Sequence, residues 1–316
     1  MRVSSNQYHI TVNASLQNAN SQLEKLMGQM ASGNRMAVPS DDPIAHVRVS
    51  RLQREEASIA QYKDNIGALS TRMTQSEAVL TSINNDLMST RDLLVWALDG
   101  ANTSADLNAM ATSLESLRDA LVAGALTKDQ EGSYMFSGTA SKTPTVVKAP
   151  LLDADENPVL DEDGNAVEAY AAGGNDEQQL VVVGSGLTQP ANVTIGRELA
   201  GALNLIDNAI TILKQSDASA NEADSRAVLT AALEGMDAAM DQVSTKISKL
   251  GGAQNIIATL SNNWSNLSIA NQTAVLDYSS MDYTTGAVEL QSLMSAIQAT
   301  QSAYGKVSKL SLFDAL

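Results

Sequence analysis

Apolar side chains recur along most of this chain at alternating intervals of three and four residues. The longest regular run includes a stripe that we call the rod seam, formed by Leu229, Leu233, Met236, Met240, Val243 and Ile247. Such spacing lays one apolar stripe along a helix, and two stripes of this kind bury each other in a coiled coil. Isolated helices are marginal in water, so each helix of this chain must pack against another helix.

Similar stripes occupy both ends of the chain. The N-terminal assembly seam is Val12, Leu16, Leu23, Leu26 and Met30. The C-terminal assembly seam is Leu290, Leu293, Ile297, Tyr304 and Val307. Two interpretations stay open: these stripes bury each other within one molecule, or they need partners from other chains. Because the terminal segments have few large side chains, we expect both ends to be poorly ordered before assembly.

Composition excludes several classes of function. The net charge of −16 argues against nucleic acid and against an anionic membrane surface as partners. The absence of cysteine removes disulfides and thiolate catalysis, and two histidines are too few for most metal or acid/base sites. We find no phosphate-binding loop, dinucleotide fingerprint or nucleophile elbow, so we predict no enzyme and no cofactor. The opening lacks the apolar core of a secretory signal, which by itself predicts a cytoplasmic protein.

The stretch "ASGNRMAVPSDDPIA" interrupts the heptads and predicts a turn between two helices. Gly33 suits the left-handed residue after a helix, and Pro43 suits the first turn of the next one. Asp42 is the predicted cap, Ser40 is its rival, and Asp41 adds favourable charge. A metal site or acid/base pair is the alternative, but adjacent carboxylates point in different directions and no third ligand is present.

A change in composition after residue 138 predicts a small β-rich insert at 139–199. Candidate strands are 143–147, 179–184 and 191–196. Between them Asp153, Asp155 and Asn157 partly resemble a calcium loop, yet the twelfth position is glycine. We favour two β-turns there, with Asp163 and Gly164 as a hairpin signal.

The sequence therefore predicts a mainly α fold: a long coiled-coil helical bundle formed by the N- and C-terminal segments, with a small β-rich inserted domain. Phase shifts of the heptads near Gly67 and at 251–252 predict altered supercoiling rather than helix ends. Glu56 and Lys63 are polar residues within the seam that follows the turn.

Four stretches resemble the flagellin superfamily. They are "NASLQNANSQLEKLMGQMASGNRMAVPSDDPIA" at 13–45, "GSYMFSGT" at 132–139, "VTIGRELAG" at 193–201 and "AYGKVSKLSLFDAL" at the C-terminal end. The resemblance covers roughly 1–140 and 190–316. The opening "MRVSS" and the prolines of "PSDDP" are more similar to the superfamily's junction type, which joins hook to filament, than to filament flagellin, which stays as the alternative. A cytoplasmic coiled-coil adaptor is the alternative outside the superfamily.

The resemblance implies a structural subunit of the bacterial flagellum, exported through the flagellum's own type III channel without a cleaved signal peptide. It implies inner-tube helices at 1–42 and 279–316, arms of a helical wall at 43–138 and 200–278, and an outward-facing insert at 139–199. Implied partners are other copies in a ring, hook-associated protein 1, filament flagellin and a cytoplasmic export chaperone at the C-terminal helix, with neither nucleic acid nor membrane.

The turn then becomes an inter-domain joint between an inner-tube helix and the wall. Its residues are Gly33, Arg35, Pro39, Ser40, Asp41, Asp42 and Pro43. We predict that Arg35 forms an ion pair with Asp41 or Asp42 that holds this joint.

Overall fold

The computed structural model describes residues 2–151, 158–160, 164, 166–215 and 218–313. These residues form six helices and four strands: α1 (Arg2–Ser32), α2 (Pro43–Ala97), α3 (Ser104–Ala125), β1 (Val146–Pro150), β2 (Glu168–Ala172), β3 (Leu180–Gly184), β4 (Leu187–Pro190), α4 (Gly196–Leu213), α5 (Ala223–Ser279) and α6 (Tyr283–Phe313). The predicted mainly helical fold with a small β-rich insert is confirmed. Both α2 and α5 continue through the predicted phase shifts without a break.

The chain divides into two compact units. Unit 1 comprises Met1–Ala60 and Ser265–Leu316, and unit 2 comprises Gln61–Trp264. Helices α1 and α6 belong to unit 1, while α3, α4 and all four strands belong to unit 2. Helices α2 and α5 contribute residues to both units.

The large hydrophobic core of unit 2 contains the rod seam. Leu229, Met236 and Val243 are buried in it, and the other three seam residues pack against it half-buried. Their neighbours in this core come from α2, α3 and α4, including Leu80, Ile83, Leu87, Leu94, Leu107, Leu114, Leu121, Leu199, Leu203, Ile206 and Ile210. Burial of each such side chain contributes about 1.5–3 kcal/mol, so the heptad pattern here encodes the core of a single chain.

Helix α3 begins with a reciprocal cap. The Thr103 hydroxyl accepts a hydrogen bond from the Asp106 N–H, and the Asp106 carboxylate accepts one from the Thr103 N–H. The Thr103 hydroxyl also donates to the Asp106 carboxylate at 2.6 Å. This bond, followed by the one from the Thr103 N–H, holds the pKa of Asp106 below its usual range, because both favour the ionised carboxylate. This capping box therefore starts α3 at Ser104, directly after Thr103.

A second cluster in unit 2 lies under the β3–β4 hairpin. It contains Ile66, Leu69, Met73, Val183, Ala191, Leu250 and Ile257. The indole N–H of Trp264 donates to the Val183 carbonyl at 2.9 Å, and the Tyr62 ring lies 5.2 Å from the Trp264 ring between centroids. The hairpin is thereby fixed to the helices by both packing and a hydrogen bond.

The insert contains two separate two-stranded antiparallel sheets. Strand β1 pairs with β2 from Val146↔Ala172 to Pro150↔Glu168, and β3 pairs with β4 with an irregularity between Val182 and Gly184. The strand predicted at 179–184 is confirmed as β3. The strand predicted at 143–147 begins three residues later, as β1. Strand β2 was not predicted.

The strand predicted at 191–196 is wrong. Its backbone is irregular and α4 begins at Gly196, although most of the segment is buried. The Asn192 side chain explains this, because its Oδ1 accepts from the Gln179 N–H at 2.7 Å and its Nδ2 donates to the Glu177 carbonyl at 3.1 Å. Side-chain bonds thus replace the pairing that a strand would need.

The possible calcium loop of Asp153, Asp155 and Asn157 lies outside the described residues, as does Asp163. Gly164 has a φ of +81°. Leu160 pairs antiparallel with Ala166.

Among the helices of the described residues, none combines the length and the apolar character needed to cross a bilayer.

Candidate functional site: the terminal helix pair and its connections

In unit 1, α1 and α6 pack against each other. Leu26 and Ile297 are buried between them, and the remaining seam residues are half-buried except Val307, which is exposed. Val307 is thus a predicted seam position that the fold of one chain leaves uncovered. The His9 Nδ1 lies 3.0 Å from the Tyr304 hydroxyl, and the two rings meet edge to face at 5.4 Å. The stripes at the two ends therefore face each other within one molecule.

The connection between α1 and α2, residues 33–42, begins with the predicted left-handed glycine. Gly33 has a φ of +71° directly after α1 ends, which confirms the prediction. Further along, the Asp41 N–H donates to the Val38 carbonyl at 3.0 Å and closes a turn with Pro39 at its second position. Proline is favoured there because its fixed φ matches the turn.

The Asp41 carboxylate stabilises this connection through hydrogen bonds and an ion pair. Its Oδ2 accepts from the N–H groups of Ala37 and Val38 at 2.9 and 3.1 Å, and its Oδ1 lies 2.7 Å from the Lys25 ammonium of α1. The Lys25 contact, and then the backbone N–H groups, lower the pKa of Asp41. Asp41 therefore connects the turn to α1. The sequence predicted only that the charge of Asp41 favours the start of α2.

Asp42 caps α2, as predicted, and Pro43 is the first residue of that helix. The Asp42 Oδ1 accepts from the Ala45 N–H at 3.0 Å. Its Oδ2 lies 3.2 Å from the Arg35 guanidinium, so of the two predicted partners of Arg35 the structure selects Asp42. Because both side chains of this pair are half-exposed, the pair contributes less than about 1 kcal/mol to the stability of a single chain. Ser40 is exposed, and the cap is Asp42.

A second connection, residues 280–282 between α5 and α6, lies against the first. The Arg35 N–H donates to the Ser279 carbonyl at 2.8 Å, and the Met281 N–H donates to the Gly33 carbonyl at 2.9 Å. Between these bonds Asn34 and Ser280 form an antiparallel bridge. We call this arrangement the clasp: residues 33–35 paired with residues 279–281.

Side chains reinforce the clasp from both helices that enter it. The Arg35 guanidinium donates to the Tyr278 carbonyl at 3.2 Å, and the Tyr283 hydroxyl donates to the Met30 carbonyl at 3.2 Å. The Arg48 guanidinium lies 5.5 Å above the Tyr278 ring. The Arg35 guanidinium thus links Asp42 of the first connection to the C-terminal end of α5.

Asp282 starts α6 in the same way that Asp42 starts α2. Its carboxylate accepts from the Thr284 N–H at 2.9 Å and from the Thr285 hydroxyl at 2.7 Å. These bonds lower the pKa of Asp282. Sequence reasoning missed this half of the site, although aspartate two residues before a threonine pair is itself a helix-start signal.

Glu56 of unit 1, a polar residue of the seam that follows the turn, accepts at Oε1 from the Ser268 hydroxyl and from the Gln272 amide. In unit 2, Lys63, the other polar seam residue, is exposed, so its predicted place in the seam is wrong. Within the described residues no group of three or more histidine, cysteine, aspartate or glutamate side chains is placed to hold a metal ion.

The comparisons with known proteins all find similarity to flagellar proteins. Residues 3–141 match the bacterial flagellin N-terminal helical region. Flagellar hook-associated protein 3 of Escherichia coli K12 is 25% identical over 301 residues, which are 93% of this chain and 93% of that protein. Flagellar hook-associated protein 3 of Salmonella typhimurium is 29% identical over 138 residues, 44% of each. A solved structure from Vibrio parahaemolyticus, assigned as a flagellar hook-associated protein, is 28% identical with a TM-score of 0.63, and the match covers 76% of this chain and 100% of that one.

Proposed function

We propose, from the premise that the chain belongs to the flagellin superfamily, that it is a structural subunit of the bacterial flagellum at the junction of hook and filament. The premise rests on the N-terminal family match and on one relative whose match covers 93% of the chain. The proposed role is assembly: copies pack side by side in a ring, and the ring connects the parts below and above it. We assign the subunit no catalytic step.

The distribution of exposed apolar side chains is the observation that carries this proposal. Among the described residues of unit 1, the buried apolar side chains are Leu26, Ala45, Val49, Ile59 and Ile297. The large apolar side chains that stay exposed in the same unit are more numerous: Tyr8, Ile10, Met27, Val38, Ile44, Val47, Leu267, Ile269, Leu276, Tyr283, Val288, Met294 and Val307. Exposed apolar surface on this scale is typical of protein–protein interfaces, so unit 1 has the surface of a protein that is completed by neighbours.

The predicted segments take their places in this assembly. Residues 1–42 and 279–316 form the inner tube, residues 43–138 and 200–278 form the helical wall, and residues 139–199 face outward. The joint at 33–43 and the clasp fix where the inner-tube helices leave the wall helices. Hook-associated protein 1 is the partner below the ring, and filament flagellin is the partner above it.

Export precedes assembly in this proposal. The chain leaves the cell unfolded through the type III channel of the flagellum, without a cleaved leader, and reaches an extracellular position. A cytoplasmic chaperone covers the C-terminal helix until then. The exposed apolar residues of α6, Val288, Met294 and Val307, support this because a helix with such a surface needs cover in the cytoplasm.

The test is removal of the gene from the source bacterium, followed by electron microscopy with gold-labelled antibody on complemented cells. We expect the deletion strain to keep its hooks, lose its filaments and release filament subunits into the medium. In complemented cells the label should form one band at the hook end. Label along the whole filament would identify a filament subunit instead, and normal filaments without the gene would refute the junction role.

A further inference from the structure

The N-terminal turns of α2, in unit 1, present three arginines without a carboxylate partner. Arg48, Arg51 and Arg54 are exposed, and none of them forms an ion pair with a carboxylate of the described residues. Their spacing of three residues places them on one side of the helix. Glu55 is the one acidic residue of these turns that shares that side, so the side is positively charged.

Two apolar side chains lie on the same side of α2. Ile44 is 70% exposed and Val47 is 65% exposed, and Ile44 is the most exposed large apolar side chain in the part of the chain that the structure describes. We call this surface the arginine face: Ile44, Val47, Arg48, Arg51 and Arg54. Apolar and cationic side chains that stay uncovered together are complementary to a partner surface that is apolar and acidic.

Part of the arginine face is already ordered within unit 1. The Arg48 guanidinium lies over the Tyr278 ring and donates to its hydroxyl at 3.4 Å, and the Arg54 Nε donates to the Ser50 carbonyl at 3.3 Å. Side chains that are ordered before binding lose less entropy when they bind. Arg51, between these two, forms no side-chain bond with another described residue, so its guanidinium is available to a partner.

A cavity of about 440 Å³ in unit 2 has the complementary character. Its apolar walls include Ala68, Leu69 and Val181. Two carboxylates, Asp129 and Glu131, line it against one guanidinium, that of Arg72, which already donates to the Gln179 side chain at 2.9 Å. Negative charge therefore exceeds positive charge in the lining, and the cavity favours a cationic occupant.

Glu131 is the carboxylate of this cavity that an incoming cation can pair with. The Asp129 Oδ1 already accepts from the Glu131 and Ser133 N–H groups at 2.9 Å each. The Glu131 side chain is exposed, and its carboxylate has no partner among the described residues. An arginine at Glu131 gains an ion pair without breaking an existing one.

We propose that the arginine face of one copy docks in this cavity of a second copy, with Arg51 paired to Glu131 and Val47 against the apolar wall. The inference rests on the proposed ring, and it names the contact between neighbours. A second copy is the occupant because it presents the surface that matches in charge, in apolar character and in shape. One chain cannot make this contact with itself, because both surfaces include residues of α2: about twenty residues separate Arg51 from Arg72, which is roughly 30 Å along a helix.

The contact is heterologous, since two different surfaces of the same chain meet in it. Such contacts close into rings when the rotation between copies allows it. Arginine suits this contact because its planar guanidinium holds a carboxylate by two parallel hydrogen bonds, which become stronger when the interface excludes water.

The experiment is site-specific photo-crosslinking in flagellated cells that express two full-length chains with different tags. The first chain has benzoylphenylalanine in place of Val47. It is also made with Arg51→Glu, with Arg51→Gln, and with Lys63→Glu as the matched control, because Lys63 is an exposed cation of α2 outside the arginine face. Circular dichroism of each purified variant checks that it folds, and Arg51→Gln serves if Arg51→Glu does not fold.

We expect a covalent dimer that contains both tags, joined from residue 47 of the first chain to a peptide of the second that includes Ala68 or Glu131. Its yield should fall about tenfold or more with Arg51→Glu, which is the usual effect of losing a hydrogen bond to a charged group, and stay unchanged with Lys63→Glu. Glu131→Arg in the second chain should restore the yield of the Arg51→Glu variant.

Two results overturn the inference and leave the junction role intact. One is a cross-link from residue 47 to another flagellar protein or to a different surface of this chain. The other is an equal yield with Arg51→Glu and with Lys63→Glu. A chain that never reaches the flagellum overturns both the inference and the proposed function.

Discussion

The left-handed turn at Gly33 is the most direct point at which to test the clasp. Alanine at φ +71° costs about 1–2 kcal/mol, because its Cβ meets the following carbonyl. The Cβ would also lie 3.3 Å from the Tyr283 hydroxyl, which must move by a few tenths of an ångström. Alanine also lowers the conformational entropy of the unfolded chain, which offsets this cost by about 0.4–1 kcal/mol. Gly33→Ala should therefore destabilise unit 1 by about 1 kcal/mol.

Gly28 provides the matched control, because it lies in the interior of α1 and a Cβ there meets nothing within 4 Å. Gly28→Ala should stabilise α1 by about 0.8–1 kcal/mol, since glycine is a poor helix former. The same chemical change, five residues apart, thus has opposite expected signs.

Hydrogen–deuterium exchange of the full-length chain, read by mass spectrometry, measures both effects. Amides of α1 and α6 should exchange about fivefold faster in Gly33→Ala and about fivefold slower in Gly28→Ala, since 1 kcal/mol changes an equilibrium about fivefold. If exchange in α6 does not change with Gly33→Ala, the clasp does not couple the two terminal helices. If both variants shift in the same direction, the assignment of Gly33 to a strained left-handed position is refuted.

Three further predictions concern single side chains. Asp42→Ala should lower the free energy of unfolding by about 1 kcal/mol through loss of the α2 cap, measured by urea denaturation, whereas Ser40→Ala should have no measurable effect. Folding lowers the pKa values of Asp41 and Asp282, so the stabilisation they give is complete above the ordinary aspartate pKa, about 3.9, and is lost as the pH falls toward the lowered values. The chemical rate of amide exchange falls between pH 6 and pH 3. After correction for that fall, exchange of the α1 and α6 amides should become faster as the pH is lowered, and Asp41→Asn should weaken this pH dependence. Trp264→Phe removes the indole donor to the β3 carbonyl and should cost about 1–3 kcal/mol, seen as a lower melting temperature by circular dichroism.

The helices were predictable because their signals are local and repeated. Spacings of three and four residues determine which side of a helix is apolar, and glycine, proline and aspartate mark its ends over a few positions. The same reasoning located Gly33, Asp42 and Pro43 correctly, since a turn and a cap depend on residues that are close in sequence. It also predicted that Arg35 pairs with an acid of this turn.

The strands were less predictable because distant residues decide them. The β2 sequence "EAYAA" contains three alanines and a glutamate, which do not favour a strand. It becomes one by pairing with β1. The Asn204 side chain of α4 also bonds both the N–H and the carbonyl of Tyr170, at 2.7 and 2.9 Å. The second half of the clasp was missed for the same reason, since Arg35 and Tyr278 are 243 residues apart and no local pattern links them.

The pairing of α1 with α6 has a consequence during synthesis of the chain. The first helix leaves the ribosome about 250 residues before its partner begins to emerge. At about 5–20 residues per second, that interval lasts roughly 12–50 seconds. Throughout it α1 has its apolar stripe uncovered while the core of unit 2, whose segments are made in between, can already form. Because α1 is made first and α6 last, α1 of each nascent chain stays unpaired until about the last thirty residues have been synthesised.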